Sequence, residues 1–186
     1  MRRKSFGDTS CPIARSLEQV GEWWSMLILR DALAGLTRFE QFRQSLGIAP
    51  GMLARRLDAL VAAGLIERRR YSAHPPRDEY QLTERGRDFR SVLVAMLAWG
   101  NRHFAPEGAS VLIVDAATGA PADPILVDRR SGRPLVAPDY RLAPGPAAGQ
   151  RMRRRLSSGK RSRLLAKAGR FRPARKRAPR TAGSRR

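Results

Sequence analysis

Cysteine and histidine are almost absent: the chain has one cysteine, Cys11, and two histidines, His74 and His103. A single thiol excludes an intrachain disulfide and a multi-cysteine zinc site, and it suits a reducing cytosol. Neither imidazole stands in a cluster of carboxylates or cysteines at ligand spacing, so metal binding and acid-base catalysis lack support. No Gly-rich phosphate loop and no nucleophile elbow occurs. No cofactor, no metal and no enzymatic activity are therefore expected. Long apolar runs are missing as well. The longest uncharged one, Val92 to Gly100, is far too short to cross a bilayer, and Met1 to Ser10 is polar and basic, not an apolar signal core. The expectation is a cytoplasmic protein with no membrane partner.

Acidic residues are also scarce, with 16 Asp and Glu against 37 Lys and Arg, for a formal charge of +21. The excess is unevenly placed. From Gln150 to Arg186 there are 16 basic residues and no acidic one, which leaves a net charge of only +5 before Gln150. Strong basicity is thus mostly a property of the tail, where it attracts phosphate polymers or anionic surfaces without specifying either.

What remains is a patterned region. From Pro12 to Ala34, Ile13, Leu17, Val20, Trp24, Leu27 and Ile28 recur at three- and four-residue spacing, the mark of one apolar helical face. Pro12 can begin this helix, Gly35 can end it, and Gly21 offers a bend. Thr37-Arg38-Phe39-Glu40 fits a capping box for a second, short helix that stops at Gly47. Pro50 opens a third helix, which turns Leu53, Leu57, Leu60 and Val61 inward and ends at Gly64. Two short helices joined by a tight Gly-containing turn form a helix-turn-helix.

After Gly64 the period changes to that of strands. Leu65 to Tyr71 and Asp78 to Leu82 predict a β-hairpin linked through Pro75 and Pro76, which behind a helix-turn-helix is a wing. Thr83 caps a long helix through Phe104. Its stretch Val92 to Trp99 is apolar on nearly every face and calls for burial on two sides, half in the core and half at a subunit interface. Farther on, Val114-Asp115-Ala-Ala-Thr118-Gly119-Ala-Pro121 is echoed by Val127-Asp128-Arg-Arg-Ser131-Gly132-Arg-Pro134, which suggests strands followed by Gly turns. The fold class is mainly α with a small β-hairpin wing, plus a short β appendage and a disordered basic tail. The expected divisions are a flexible amino-terminus over 1–9, a winged helix-turn-helix domain over 10–106, a small β-rich extension over 107–148 and an Arg-rich tail over 149–186.

The run Cys11-Pro12-Ile13, Glu22-Trp23-Trp24, Arg38-Phe39, Leu53-Ala54-Arg55-Arg56-Leu57, Gly64-Leu65-Ile66-Glu67-Arg68, Pro75-Pro76-Arg77 and Glu79-Tyr80-Gln81-Leu82-Thr83-Glu84-Arg85-Gly86 resembles the HxlR family of bacterial regulators over roughly residues 10 to 105. That resemblance implies a winged-helix homodimer on a two-fold related operator, in which the first and last helices of the domain meet. Here the interface residues would be Ile13, Leu17, Val92, Met96 and Trp99. Glu22 stands where the family usually has Lys, and Asp78 where it usually has Val. At the DNA-facing start of the third helix, Ala49 and Gly51 replace a frequent Ser and Lys. Lacking a hydroxyl cap at Ala49 lowers helix stability by about 1 kcal/mol, and lacking a cation at Gly51 implies an operator unlike those of relatives.

In such a protein the recognition helix enters the major groove by its amino-terminal residues while the wing follows the backbone. Arg55 and Arg56 are the long hydrogen-bonding side chains near that end. Arginine bonds O6 and N7 of guanine together, a pairing worth about 1–3 kcal/mol of discrimination. Arg55 is the first choice for base reading and Arg56 the second, against the alternative that both are solvated helix charges. On the wing, Arg68 and Arg70 share one face and Arg69 the other. Arg68, Arg70 and Arg77, with Arg38, are phosphate candidates, against the alternative of salt bridges to Glu67 or Glu79. Cys11, just before a helix start and near Arg15, is a redox candidate because some members of the resembling family sense oxidants through an amino-terminal cysteine; a plain buried cysteine is the alternative. The leading function is a sequence-specific transcriptional regulator, with repression as its expected mode and the bacterial nucleoid as its place. A non-specific nucleic-acid-binding protein driven by the tail stands second. A ligand-responsive sensor or adaptor that uses the extension at residues 109–145 stands third, and a small-molecule or redox effector is a candidate partner.

Overall fold

The computed structural model describes residue 6 and residues 9–157. Along these the chain forms α1 (Pro12–Val20), α2 (Trp23–Leu33), α3 (Phe39–Leu46), α4 (Pro50–Ala62), β1 (Ile66–Ala73), β2 (Pro76–Leu82), α5 (Glu84–Asp88), α6 (Arg90–His103) and α7 (Gln150–Ser157). The result is a mainly helical winged helix-turn-helix with one antiparallel hairpin. Two compact units divide the chain, Met1–Val127 and Asp128–Arg186.

The core of the first unit gathers around α2, which packs against α1, α3, α4, α6 and β2. Ile28 and Leu29 of α2 meet Phe42 of α3 and Leu53, Leu57 and Leu60 of α4, all buried. The spacing of the three leucines puts them on one face of α4 and leaves the opposite face to solvent. Burying each leucine stabilises the fold by about 1.5–3 kcal/mol, which fixes α4 by one side only. Gly47, at φ +60°, ends α3 in the left-handed conformation, and buried Ile48 plugs the turn into the core before Pro50 starts α4.

Three expectations about the helices need correction. The single helix over Pro12 to Ala34 is two helices, because the chain breaks at Gly21. There the Gly21 N–H donates to the Leu17 carbonyl at 2.8 Å, and a Cβ on Gly21 would lie 2.2 Å from that same oxygen. The cap expected at Thr37 falls one residue later, at Arg38. Gln41, and not Glu40, reaches back, its Oε1 accepting from the Thr37 and Arg38 N–H groups at 3.1 and 2.9 Å. Thr37 is committed elsewhere, since its carbonyl accepts from the Tyr80 N–H at 2.7 Å and ties this strand-like entry to β2. Finally, the long helix expected from Thr83 to Phe104 is divided into α5 and α6 at Phe89. Thr83 does cap it: its Oγ1 accepts from the Gly86 N–H at 3.1 Å and donates to the Gly64 carbonyl at 2.7 Å.

The hairpin is longer than expected. β1 and β2 run in register from Ile66 opposite Leu82 to Arg70 opposite Asp78, then shift by one residue at Tyr71. Two further pairs, Ser72 with Arg77 and Ala73 with Pro76, carry it to its tip. The β extension expected over 107–148 contains no strand among the described residues. Its repeat forms turns instead. Gly119, at φ +70°, donates to the Asp115 carbonyl at 2.8 Å, and Gly132, at φ +68°, donates to that of Asp128 at 2.7 Å. In each turn the Asp carboxylate accepts bonds from the residues that follow, Ala117 and Thr118 in one and Arg130 and Ser131 in the other. Those bonds hold both carboxyls below the usual aspartate range: for Asp115 the Thr118 amide bond is the largest cause, for Asp128 the Ser131 hydroxyl. Of the tail expected to be disordered over 149–186, Gln150–Ser157 is α7. Residues 158–186, and all but residues 6 and 9 of the amino-terminus expected to be flexible, lie outside the described residues.

Gly86 of α5 sits against Leu65 and Leu82. A Cβ there would lie 2.0 Å from the Leu65 carbonyl oxygen and 2.9 Å from a Leu82 methyl. Gly86→Ala is therefore expected to destabilise the domain by about 1–3 kcal/mol through overpacking. Thermal unfolding checks this, with a fall in Tm of at least ~4 °C expected.

Candidate nucleic-acid interface

The exposed side of α4 and the hairpin beside it carry the cations singled out by the sequence, and each has a definite local setting. Arg55 is exposed: its Nε lies 3.3 Å from the Gly51 carbonyl and its Nη2 3.8 Å from the Met52 sulfur, so it lies along its own helix toward the amino-terminal end. No carboxylate pairs with it among the described residues. Arg56, about 100° further round the helix, turns toward Glu22. Its Nη2 donates to Glu22 Oε2 at 3.2 Å, its side chain is only 26% exposed, and its Nε is buried without a hydrogen-bond partner. Neighbours in sequence thus differ in role: Arg55 faces outward with its charge uncompensated, while Arg56 is held at the junction of α1 and α2.

Ala49 occupies the N-cap position of α4 with extended backbone and no side-chain cap, and a Cβ on Gly51 would meet nothing within 4 Å. The start of α4 is therefore open: Pro50 has no N–H and the Met52 and Leu53 N–H groups donate to the Ala49 carbonyl, which leaves the Gly51 N–H and a positive dipole end available to an anion.

On the hairpin, Arg68 pairs with Asp58 of α4 and its guanidinium lies 5.5 Å from the ring centre of Tyr80, the residue directly opposite it. This clamp holds the wing against the recognition helix. Burial within it pushes the Tyr80 hydroxyl above its ordinary range. Arg69 pairs with Glu67 at 2.5 Å, and Arg70 with Asp78 directly across the ladder at 3.4 Å. Arg77, at the hairpin tip, pairs with Ser72 through its backbone and exposes a side chain that meets no carboxylate among the described residues. Arg38 lies over the Tyr71 ring at 4.9 Å, and its backbone forms a bridge with Glu79 beside β2.

Sequence reasoning missed the partners more than the cations. Asp58 carries no signal of its own in the sequence, and its link to Arg68, ten residues on, joins α4 to β1 only in the packed fold. Arg43 of α3 was also missed. It is bound to Glu40 one turn earlier at 2.5 Å, and that contact, with Gln44, holds the Glu40 carboxyl below its ordinary range. The i, i+3 spacing of Glu40 and Arg43 was the available signal.

Away from this surface, Cys11 is the half-buried N-cap residue of α1, and the nearby Arg15 spends its Nε on the Thr9 carbonyl at 2.6 Å. Ile13, Leu17, Val92, Met96 and Trp99, expected at an interface, are exposed by 41–69%. An open groove of about 700 Å³ lies between α1, the end of α4 and the α5–α6 junction, lined in part by Arg15, Gln19, Leu65, Arg85, Phe89 and Val92. Among the described residues, no group of three or more His, Cys, Asp or Glu could hold a metal ion, and no helix is long and apolar enough to cross a membrane.

Residues 19–108 match the model of the HxlR-like helix-turn-helix family. An HTH-type transcriptional regulator of Mycobacterium bovis, itself uncharacterized, is 41% identical over 135 residues, which is 72% of this chain and 85% of that protein. The chain belongs to the HxlR-like helix-turn-helix family. It is thereby a helix-turn-helix transcriptional regulator of a DNA-binding family, and that family is one of regulators, not of enzymes. Two solved structures extend the likeness beyond the family match. A proposed transcription factor from Pseudomonas aeruginosa is 54% identical, with 78% of this chain and 100% of that chain covered at a TM-score of 0.57. A second proposed transcription factor is 40% identical, with 75% and 99% covered at a TM-score of 0.67.

The Glu22–Arg56 pair generates a testable asymmetry. Glu22→Gln leaves a mostly buried guanidinium short of its counter-charge and is expected to lower stability by about 1–3 kcal/mol. Arg55→Ala, on the open face, is expected to change it by less than ~0.5 kcal/mol. Urea unfolding of the two variants checks both values.

Proposed function

We propose that this HxlR-like regulator binds double-stranded DNA as a homodimer at an inverted-repeat operator and represses transcription by occupying it. The observation that carries this reading is the contrast within α4: three leucines bury one face, while Arg55 stands free on the other beside an uncapped helix start. Arg55 reads a guanine edge in the major groove, the Ala49–Gly51 backbone approaches a phosphate, and Arg77 with Arg38 holds neighbouring phosphates. Arg70 joins them by exchanging Asp78 for a phosphate, and Arg68 contributes through the clamp on Asp58. Arg56 serves by fixing α4 against the α1–α2 junction. The exposed apolar residues Ile13, Leu17, Val92, Met96 and Trp99 supply the dimer contact that places two recognition helices about one helical turn apart. Repression needs only that the bound dimer occlude its site.

A second reading rests on α7, where Arg151, Arg153, Arg154 and Arg155 are exposed: general nucleic-acid binding driven by the basic tail. The two readings part on truncation. A chain ending at Gly149 retains its selected inverted repeat under the first and loses binding under the second.

The variants separate reading from positioning. Selection from random duplexes, followed by titration of the recovered operator, should show Arg55→Ala losing roughly 10- to 100-fold in specific affinity, with non-specific binding little changed. Arg77→Ala should weaken all duplexes alike and reduce the slope of log affinity against log salt by about 1. Equal losses on specific and random DNA for Arg55→Ala would remove it from base reading.

A further inference from the structure

We propose that the segment from Val111 to Val127 is a dimerisation arm that packs on a second copy of this chain, an inference that rests on the homodimer proposed above. The segment lies beyond residues 19–108, the part matched by the family model, so the shared helix-turn-helix domain does not account for it. Its apolar side chains are left uncovered: Val111, Leu112, Val114, Ile125, Leu126 and Val127 are each exposed by 48–60%. Scattered exposed apolar residues are ordinary, but a concentration of this kind marks an interaction surface.

DNA does not fit this surface. Residues 105–127 carry Glu107, Asp115 and Asp123 and no Lys or Arg, so the segment repels phosphate. Its attachment points toward a second copy instead. The Asn101 Nδ2 donates to the Val111 carbonyl at 2.9 Å, and Arg102 lies 3.8 Å from Asp123. Both contacts fasten the segment to the last turn of α6, immediately after the exposed row Val92, Met96 and Trp99. Size gives the third argument. The five exposed residues of α1 and α6 offer on the order of 500 Å² between them, short of the roughly 800 Å² per partner of a standard interface, and the six of the arm add about as much again. An isologous dimer through α6 brings the partner's surface within reach of both arms at once.

Sedimentation equilibrium on the full chain tests this, with DNA binding to a single half-site measured alongside. The triple variant Leu112→Ser/Ile125→Ser/Leu126→Ser is expected to raise the dimer dissociation constant at least ten-fold while half-site affinity stays within two-fold. Val92→Glu/Met96→Glu is the comparison that breaks the α6 contact. In an otherwise unchanged chain, Leu126→p-benzoylphenylalanine should give a covalent dimer on irradiation. If the α6 variant dissociates while the triple variant keeps the wild-type constant and position 126 captures no second copy, the arm is overturned and the dimer stands. If the wild-type chain is monomeric at tens of micromolar, both are overturned.

Discussion

Everything the molecule presents depends on a wedge of leucine. Leu53, Leu57 and Leu60 are fully buried against Ile28 and Leu29 of α2 and Phe42 of α3, and they hold α4 along one face. A helix offered to a nucleic-acid groove must be gripped from behind, because any contact on its front would have to be broken before binding. Two further contacts at the end of α4 fix its angle without touching that front. Leu65 donates its N–H to the Leu60 carbonyl at 3.0 Å, and Arg85 donates to the Ala63 carbonyl at 3.1 Å. The second places a cation at the helix carboxy-terminus, where the dipole favours it.

The charges on the front are arranged in two classes. Arg43, Arg68, Arg69 and Arg70 are each matched to a nearby carboxylate on an exposed surface, and Arg55 and Arg77 are not. Exposed pairs of this kind are worth only about 0–1 kcal/mol, so at Arg70 a phosphate can displace the carboxylate at small loss. The Glu22–Arg56 pair is different in kind, being half-buried and tied to the chain break at Gly21. The unusual Glu22 therefore belongs with the architecture of α4, not with a DNA contact of its own. Adjacent helix positions lie about 100° apart, and Glu22 takes up the arginine that turns toward the α1–α2 junction.

Much of this was legible in the sequence wherever a local rule governed. The leucine spacing gave α4 and its buried face, Gly47 and Gly64 marked helix ends, and the hydroxyl of Thr83 capped as expected. Local rules failed where a distant residue intervened. Thr37 has the chemistry of a cap, yet Tyr80 claims its carbonyl across the fold and moves the helix start to Arg38. Periodicity ran straight through Gly21 because the residues on either side keep the same apolar face, so the break was visible only as a glycine. In the extension, β-branched residues suggested strands, but no neighbour supplies a ladder, and the Asp–Gly turns persist with a single antiparallel bridge between Val114 and Pro121. The Arg68–Asp58 clamp left no trace in the sequence at all, since neither residue is unusual until helix and hairpin are packed.

In the proposed complex, Arg55 is the outward reader and Arg56 a fixed support. The most direct test is a crystal structure of the chain bound to its selected operator. The guanidinium of Arg55 should lie within hydrogen-bond distance of a guanine O6 and N7, with Arg56 still on Glu22. A complex in which Arg56 leaves Glu22 to contact a base and Arg55 remains folded along Gly51 and Met52 would contradict it.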